Sequence, residues 1–180
     1  HVALAAVLMA ITHSLTKTYQ GPPWPPGLLL SYLNRHLAAH YPATFGSFVT
    51  AFYAVFDPDR RTLTYANAGH VPPRLLRERA LFALFEGKKR LPLGIGDREE
   101  SPEETATLAS GDQLVFCTDG ILDARNARGE RFGSEGLDHS LSEVPADAQG
   151  TIDSLLEIIG GFSGDLPARD DRTILAATVA

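Results

Sequence analysis

The chain has 180 residues, 44% hydrophobic and 21% charged, which is enough to bury one core and excludes wholesale disorder. Sixteen basic against 22 acidic residues leave a net charge of −6, which repels phosphate backbones and argues against nucleic-acid binding as the main task. Cys117 is the only cysteine, so an intrachain disulfide and a cysteine-based zinc site are both excluded, and the composition suits a reducing cytoplasm.

The length predicts a single domain over residues 1–180. Val2 to about Tyr19 is rich in Ala and Leu with no breaker and predicts a helix. Its start is apolar almost all round, which predicts burial there. The apolar run Val2 to Ile11 is too short to span a bilayer, so no membrane segment is expected. It lacks the basic start and small-residue cleavage site of a signal peptide. The stretch Gly21 to Pro26, with four prolines, predicts a stiff loop. A second helix is expected from about Pro26 to His40, with Leu29, Leu33, His36 and Leu37 on one face.

The character then changes. Phe48 to Phe56 predicts a buried strand, and Asp57-Pro58-Asp59-Arg60 a turn in which Asp57 bonds its own backbone. Thr62 to Ala66 alternates and closes a hairpin, ended by Asn67-Ala68-Gly69-His70. Short strands follow near Arg74 to Arg77, Leu81 to Phe85 and Glu103 to Leu108, with Leu91 to Gly96 a loop. Glu99, Glu100, Glu103 and Glu104 read as a solvated face. Ser110-Gly111-Asp112 is a turn before the strand Gln113 to Thr118. A brief helix is expected over Ile121 to Arg125, a turn over Asn126 to Gly129, and helices over Ser134 to Leu141 and Gln149 to Ile159, the last stopped by Gly160-Gly161. Asp170-Asp171 opens a last strand, Thr173 to Val179. Segregated runs of helix and strand predict an α+β fold with a largely antiparallel sheet.

The sequence holds no phosphate-binding P-loop, no dinucleotide fingerprint and no nucleophile elbow. His36 and His40 sit one helical turn apart without a third ligand, which favours one core-edge and one solvated residue over metal binding. The informative features are carboxylates at strand ends. Asp119 follows the apolar run Leu114 to Cys117 and precedes Gly120, whose missing side chain lets a ligand or metal approach the backbone. Asp170 and Asp171 stand before the last strand in the same way. If those strands are neighbours, the carboxylates converge, and converging carboxylates repel unless a cation neutralises them. Oxygen-only ligands suit Mg²⁺ or Mn²⁺, which activate water for attack on a phosphate ester without a protein nucleophile. Alone, Thr-Asp-Gly is most often a turn and Asp-Asp most often a solvated loop or helix cap.

The ordered set is more specific than any piece. Tyr65-Ala66-Asn67-Ala68-Gly69-His70 with Pro72-Pro73, then Leu91-Pro92-Leu93-Gly94, then Gly111-Asp112, then Thr118-Asp119-Gly120, run in sequence. Ala124-Arg125-Asn126, Gly129-Glu130, Phe132-Gly133 and Asp170-Asp171-Arg172-Thr173 complete the series. Together they resemble the PPM-type (protein phosphatase type 2C-like) serine/threonine phosphatases, in the bacterial branch of sporulation stage II and sigma-regulator phosphatases. The resemblance implies an antiparallel β-sandwich flanked by helices, with Mn²⁺ or Mg²⁺ at one end. It implies that Asp119 and Asp170 are metal ligands at the catalytic centre, that the adjacent Asp171 is a further candidate, and that Asp123 serves an accessory metal. His70 falls where eukaryotic relatives carry Asp. The implied activity is hydrolysis of phosphoserine or phosphothreonine on a regulatory protein of the anti-anti-sigma type. The alternative is a non-catalytic module of the same fold that binds a partner.

The resemblance departs at the front. The family carries Asp-Val-Ser-Gly-His-Gly before its first long helix, with the Asp bridging two metals. His1 aligns with the His of that motif and Val2 with its second Gly. The expectation is a sandwich lacking its N-terminal strands and an incomplete metal centre, so that this polypeptide alone hydrolyses phosphoserine poorly or not at all. Uncovered apolar surface and an unpaired strand edge predict self-association.

Overall fold

The computed structural model describes residues 2–21, 25–41, 48–85, 91–96, 101–145 and 147–180. Trp24, Glu99, Glu100 and His1 lie outside them. The chain divides into two compact units, residues 1–70 with 87–107 and residues 71–86 with 108–180.

In the first unit, helices α1 (Val2–Thr18) and α2 (Pro26–His40) precede strands β1 (Ala51–Asp57) and β2 (Thr62–Ala68), and β5 (Glu103–Thr107) completes a three-stranded antiparallel sheet ordered β1-β2-β5. The β1–β2 hairpin forms as its turn chemistry dictates. The Asp57 carboxylate accepts from the N–H groups of Asp59 and Arg60, each at 3.0 Å. β2 is flanked on both sides and is largely buried, whereas β1 is an edge strand and only half-buried. The expectation of a buried strand over Phe48 to Phe56 is therefore corrected; Phe48 and Phe56 are exposed. On α2, Leu29, Leu33 and Leu37 are buried as the periodicity requires, and His36 sits at the core edge against Tyr32. Here α2 packs against Ala66, Ala68 and Leu93.

Helix α1 corrects a second expectation. Of the apolar residues at its start, Leu8 is buried, but Leu4, Val7 and Met9 are exposed, Met9 by 68%. Leu8, Ile11, Leu15 and Tyr19 join the α2 cluster, so only one stripe of a helix that starts apolar almost all round is covered there. Glu103 is exposed, as expected of a solvated face, and its carboxylate also accepts from the Gly27 N–H at 2.7 Å, satisfying a donor at the start of α2 whose cap residue, Pro25, provides no side-chain bond.

The second unit holds β3 (Arg74–Arg77), β4 (Ala80–Ala83), β6 (Gln113–Cys117) and β7 (Ile174–Thr178) in a four-stranded antiparallel sheet ordered β4-β3-β6-β7. It also holds α3 (Asp119–Leu122), α4 (Gly133–Glu143) and α5 (Ala148–Ser163). Val115, Cys117, Ile121, Leu137, Leu141, Leu155 and Ile159 form its core. Helix α5 starts at Asp147, whose carboxylate accepts from Gly150 N–H at 2.7 Å. It does not stop at Gly160-Gly161. It runs on to Ser163 because the next turn packs: Ser163 is buried and the Phe162 ring meets Phe132 edge-on at 5.3 Å. Gly164, at φ 56°, ends it instead.

Asp112 anchors β6. Its carboxylate is 1% exposed, accepts from Arg77 Nε at 2.8 Å and Nη2 at 2.5 Å, and accepts from the Ala109 N–H at 2.7 Å. The Arg77 hydrogen bonds hold its pKa below the usual carboxylate value, outweighing burial, which acts the other way. A depressed folded-state pKa adds stability that is complete above the unfolded value near 3.8 and is lost as pH falls through the folded value. Asp112→Asn is therefore expected to cost roughly 2–3 kcal/mol at pH 7 in urea unfolding. The penalty should shrink as pH drops below about 4; a penalty independent of pH would contradict this account of the pair.

Candidate metal centre at the β6 and β7 strand ends

The site grows from the pairing of two strands. β6 and β7 run antiparallel with Cys117 opposite Ile174, so the residues after β6 and those before β7 lie at the same end of the sheet. Thr118 stitches that end together. Its N–H donates to the Thr173 carbonyl at 3.1 Å, its hydroxyl donates to the Asp171 carbonyl at 3.1 Å, and its oxygen accepts from the Thr173 N–H at 3.0 Å. Gly120 completes the junction. A Cβ there would stand 2.3 Å from the Asp171 carbonyl oxygen and 3.3 Å from that of Asp170. The space beside this glycine is not open to a ligand, contrary to what its sequence position suggests; it is filled by the chain's own 170–171 backbone.

Each candidate carboxylate can now be placed. Asp119 is the first residue of α3 and is exposed. Its carbonyl accepts from the Asp123 N–H at 2.7 Å, and no hydrogen bond to its carboxylate is found among the described residues. The brief helix thus begins two residues earlier than expected, its first turn carrying an acidic side chain that suits exposed N–H groups. Asp170 is exposed, and its Oδ1 accepts from the Asp171 N–H at 2.8 Å. Asp171 is exposed too, and it contributes its carbonyl to the Thr118 stitch. Asp123 stands at the end of α3, where its carboxylate is ion-paired with Arg131.

The donor chemistry fits a hard divalent cation. Asp119 and Asp170 offer open carboxylate oxygens on one rim, without nitrogen or sulfur donors. Among the described residues, no three His, Cys, Asp or Glu side chains gather closely enough to hold an ion unaided. Cys117 is no substitute nucleophile: burial pushes its thiol up to about 11, so it is protonated at neutral pH.

The sequence profile of the stage II sporulation protein E (SpoIIE) family matches residues 1–180. The chain belongs to that family. Phosphoserine phosphatase RsbU of Bacillus subtilis is 29% identical over 154 residues, covering 83% of this chain and 44% of the relative. The chain thus spans less than half the length of the curated relatives it matches. The SiaA-PP2C domain of Pseudomonas aeruginosa shares the fold, with a TM-score of 0.84 at 19% identity over 99% of this chain and 70% of that one. So does the catalytic domain of the serine/threonine phosphatase PstP in complex with two manganese ions, with a TM-score of 0.62 at 17% identity over 97% of this chain and 80% of that one. The fold is therefore the PP2C type, α+β with two antiparallel sheets and flanking helices.

Several residues that carry the SpoIIE-family likeness are braces. The Asn67 amide closes its turn by accepting from the His70 N–H at 2.8 Å and donating to the His70 carbonyl at 3.0 Å. Gly69, at φ +72°, lies so close to Pro92 that a Cβ would meet that ring at 2.8 Å. Asn34 grips the loop around Gly94, accepting from its N–H at 2.9 Å and donating to the Gly96 carbonyl at 3.1 Å. Asn126 accepts from the N–H groups of Arg128 and Glu130 at 3.0 and 3.1 Å, folding the 124–132 segment into a tight loop. His70 is half-buried, with Nδ1 3.4 Å from the Thr50 hydroxyl. Sequence reasoning missed Arg131, Arg125, Arg169 and Arg172. The first pairs with Asp123, and the others line a cavity beside Asp170.

Gly120→Ala tests the junction. The methyl must displace the 170–171 backbone, so the variant is expected to unfold at lower temperature and to expose the amides of Thr118 and Thr173 to faster hydrogen exchange. Wild-type exchange at both amides would contradict the close approach.

Proposed function

We propose that the chain is the catalytic part of a metal-dependent protein serine/threonine phosphatase that hydrolyses phosphoserine or phosphothreonine on a regulatory protein of the anti-anti-sigma type in the cytoplasm. The observation that supports the reading is the β6–β7 pairing, which puts the residues that follow β6, Asp119 among them, and those that precede β7, Asp170 among them, at one end of the sheet. Membership of the SpoIIE family and the likeness to RsbU and to manganese-bound PstP support it. Among the described residues no helix is long and apolar enough to cross a membrane.

In this reading Asp119 and Asp170 hold Mn²⁺ or Mg²⁺ through their carboxylate oxygens, with Asp171 adjacent as a further donor. Asp123 reaches an accessory ion only by giving up Arg131. When bound, the metal polarises the phosphoryl group and lowers the pKa of water. The chain's own part is positional. The Thr118 stitch and the Gly120 contact fix the segment that carries Asp170 and Asp171 against the start of α3, which carries Asp119. The neutral Cys117 thiol stays out of the chemistry, consistent with attack by water.

Asp119→Asn and Asp170→Asn in the full-length protein are each expected to weaken Mn²⁺ binding, measured by calorimetry, and to cut aryl phosphate turnover by at least roughly 100-fold. Asp171→Asn should cost less. Wild-type Mn²⁺ affinity and turnover in both of the first two variants would overturn the assignment.

A further inference from the structure

Beside Asp170 lies a cavity of about 370 Å³, walled on one side by the 123–129 loop and on the other by residues 166–172. Its ionisable lining is Asp123, Arg125, Arg169, Asp170 and Arg172. Asp123 is paired with Arg131, so the lining itself carries three arginines against one unpaired carboxylate, Asp170, with the exposed Asp119 and Asp171 outside the lining. That is a cationic hollow on a chain whose net charge is −6, placed at the same rim as the candidate metal ligands.

The arginines are loosely held. Arg172 is half-buried, its Nη2 reaches the Ser163 hydroxyl only at 3.4 Å, and its buried Nε has no hydrogen-bond partner among the described residues. Guanidinium groups that line a cavity gain from an oxyanion that their accessible N–H groups can reach. Arg125 gives one Nη1 donor to the Gly129 carbonyl at 2.5 Å, which fixes its stem against the tight loop and leaves its other donors available. Arg169 is exposed on the opposite wall, next to Asp170 in the chain.

We propose that this groove is the docking subsite for an acidic stretch of the phosphoprotein substrate beside its phosphorylated residue, with Arg125, Arg169 and Arg172 taking the carboxylates. The proposal rests on the phosphatase reading for the identity of the occupant. It adds a selectivity that metal ligands alone do not give, because a metal site recognises the phosphoryl group whatever flanks it. Charge complementarity of this kind sets partner choice and weakens with salt.

The test is fluorescence anisotropy of labelled peptides carrying a non-hydrolysable phosphonate in place of phosphoserine, flanked either by Glu and Asp or by Gln and Asn. The wild-type full-length protein should prefer the acidic peptide by about tenfold at low salt, and the preference should fade as salt rises. Arg169→Gln combined with Arg172→Gln should abolish the preference, and Arg172→Lys should retain part of it. Arg169→Gln alone lies on an exposed loop and serves if the double variant fails to fold. No preference in the wild type, or equal losses for both peptides in the variants, would overturn the proposal; equal losses would mean that the arginines serve the phosphoryl group. The binding readout needs no turnover. A preference that persists in a protein without aryl phosphatase activity would sink the phosphatase reading and leave the groove standing.

Discussion

The antiparallel pairing of β6 with β7 is the constraint on which the rest of the rim depends. Asp119 and Asp170 are 51 positions apart in the chain, and only that pairing brings them to one end of a sheet. The hydrogen bonds made by Thr118 extend the ladder past the strands' formal ends, and a glycine at position 120 allows the 170–171 backbone to come within contact. β6 itself is held from the other side by β3 and, at its start, by the buried Asp112 under the Arg77 fork. The core of Leu155, Ile159, Leu137 and Leu141 backs this sheet, so a carboxylate on its rim inherits the rigidity of the packed unit.

This arrangement separates two kinds of motif residue. The carboxylates at the strand ends are exposed, and those of Asp119 and Asp170 keep oxygens open, as residues kept for chemistry would be. Asn67, Gly69 and Asn126 are instead consumed by their own turns, the Gly94 loop is gripped by Asn34 of α2, and Asp112 is taken up by its ion pair. A family likeness read from motifs therefore mixes residues that act on a ligand with residues that hold loops in shape. The distinction shows only in the hydrogen bonds.

Much of this was legible in the sequence. Asp119 and Asp170 stood out because they flank apolar strands, and the front helices follow from an unbroken run of helix formers in the first and from the periodicity of Leu29, Leu33, His36 and Leu37 in the second. The failures have a common physical cause: they turn on what lies opposite. Periodicity gave α1 an apolar surface but not the cluster that covers only one stripe of it. Gly160-Gly161 looked like a stop because the burial of Ser163 and the Phe162–Phe132 contact are tertiary. The bond from the Gly27 N–H to the exposed Glu103 carboxylate was invisible because the two are 76 residues apart. Arg125 and Arg172 fall inside motif segments, but nothing local joins them, since the two walls, residues 123–129 and 166–172, are distant in the sequence.

The central claim is that the two strand ends form one cation-binding rim. The direct measurement is paramagnetic broadening of backbone amide NMR signals as Mn²⁺ is added in small amounts. The account predicts that the amides of Asp119 and Gly120 and those of Asp170 and Asp171 broaden together at the same Mn²⁺ concentration, ahead of the rest of the chain. Broadening of one segment while the other keeps sharp signals would contradict it.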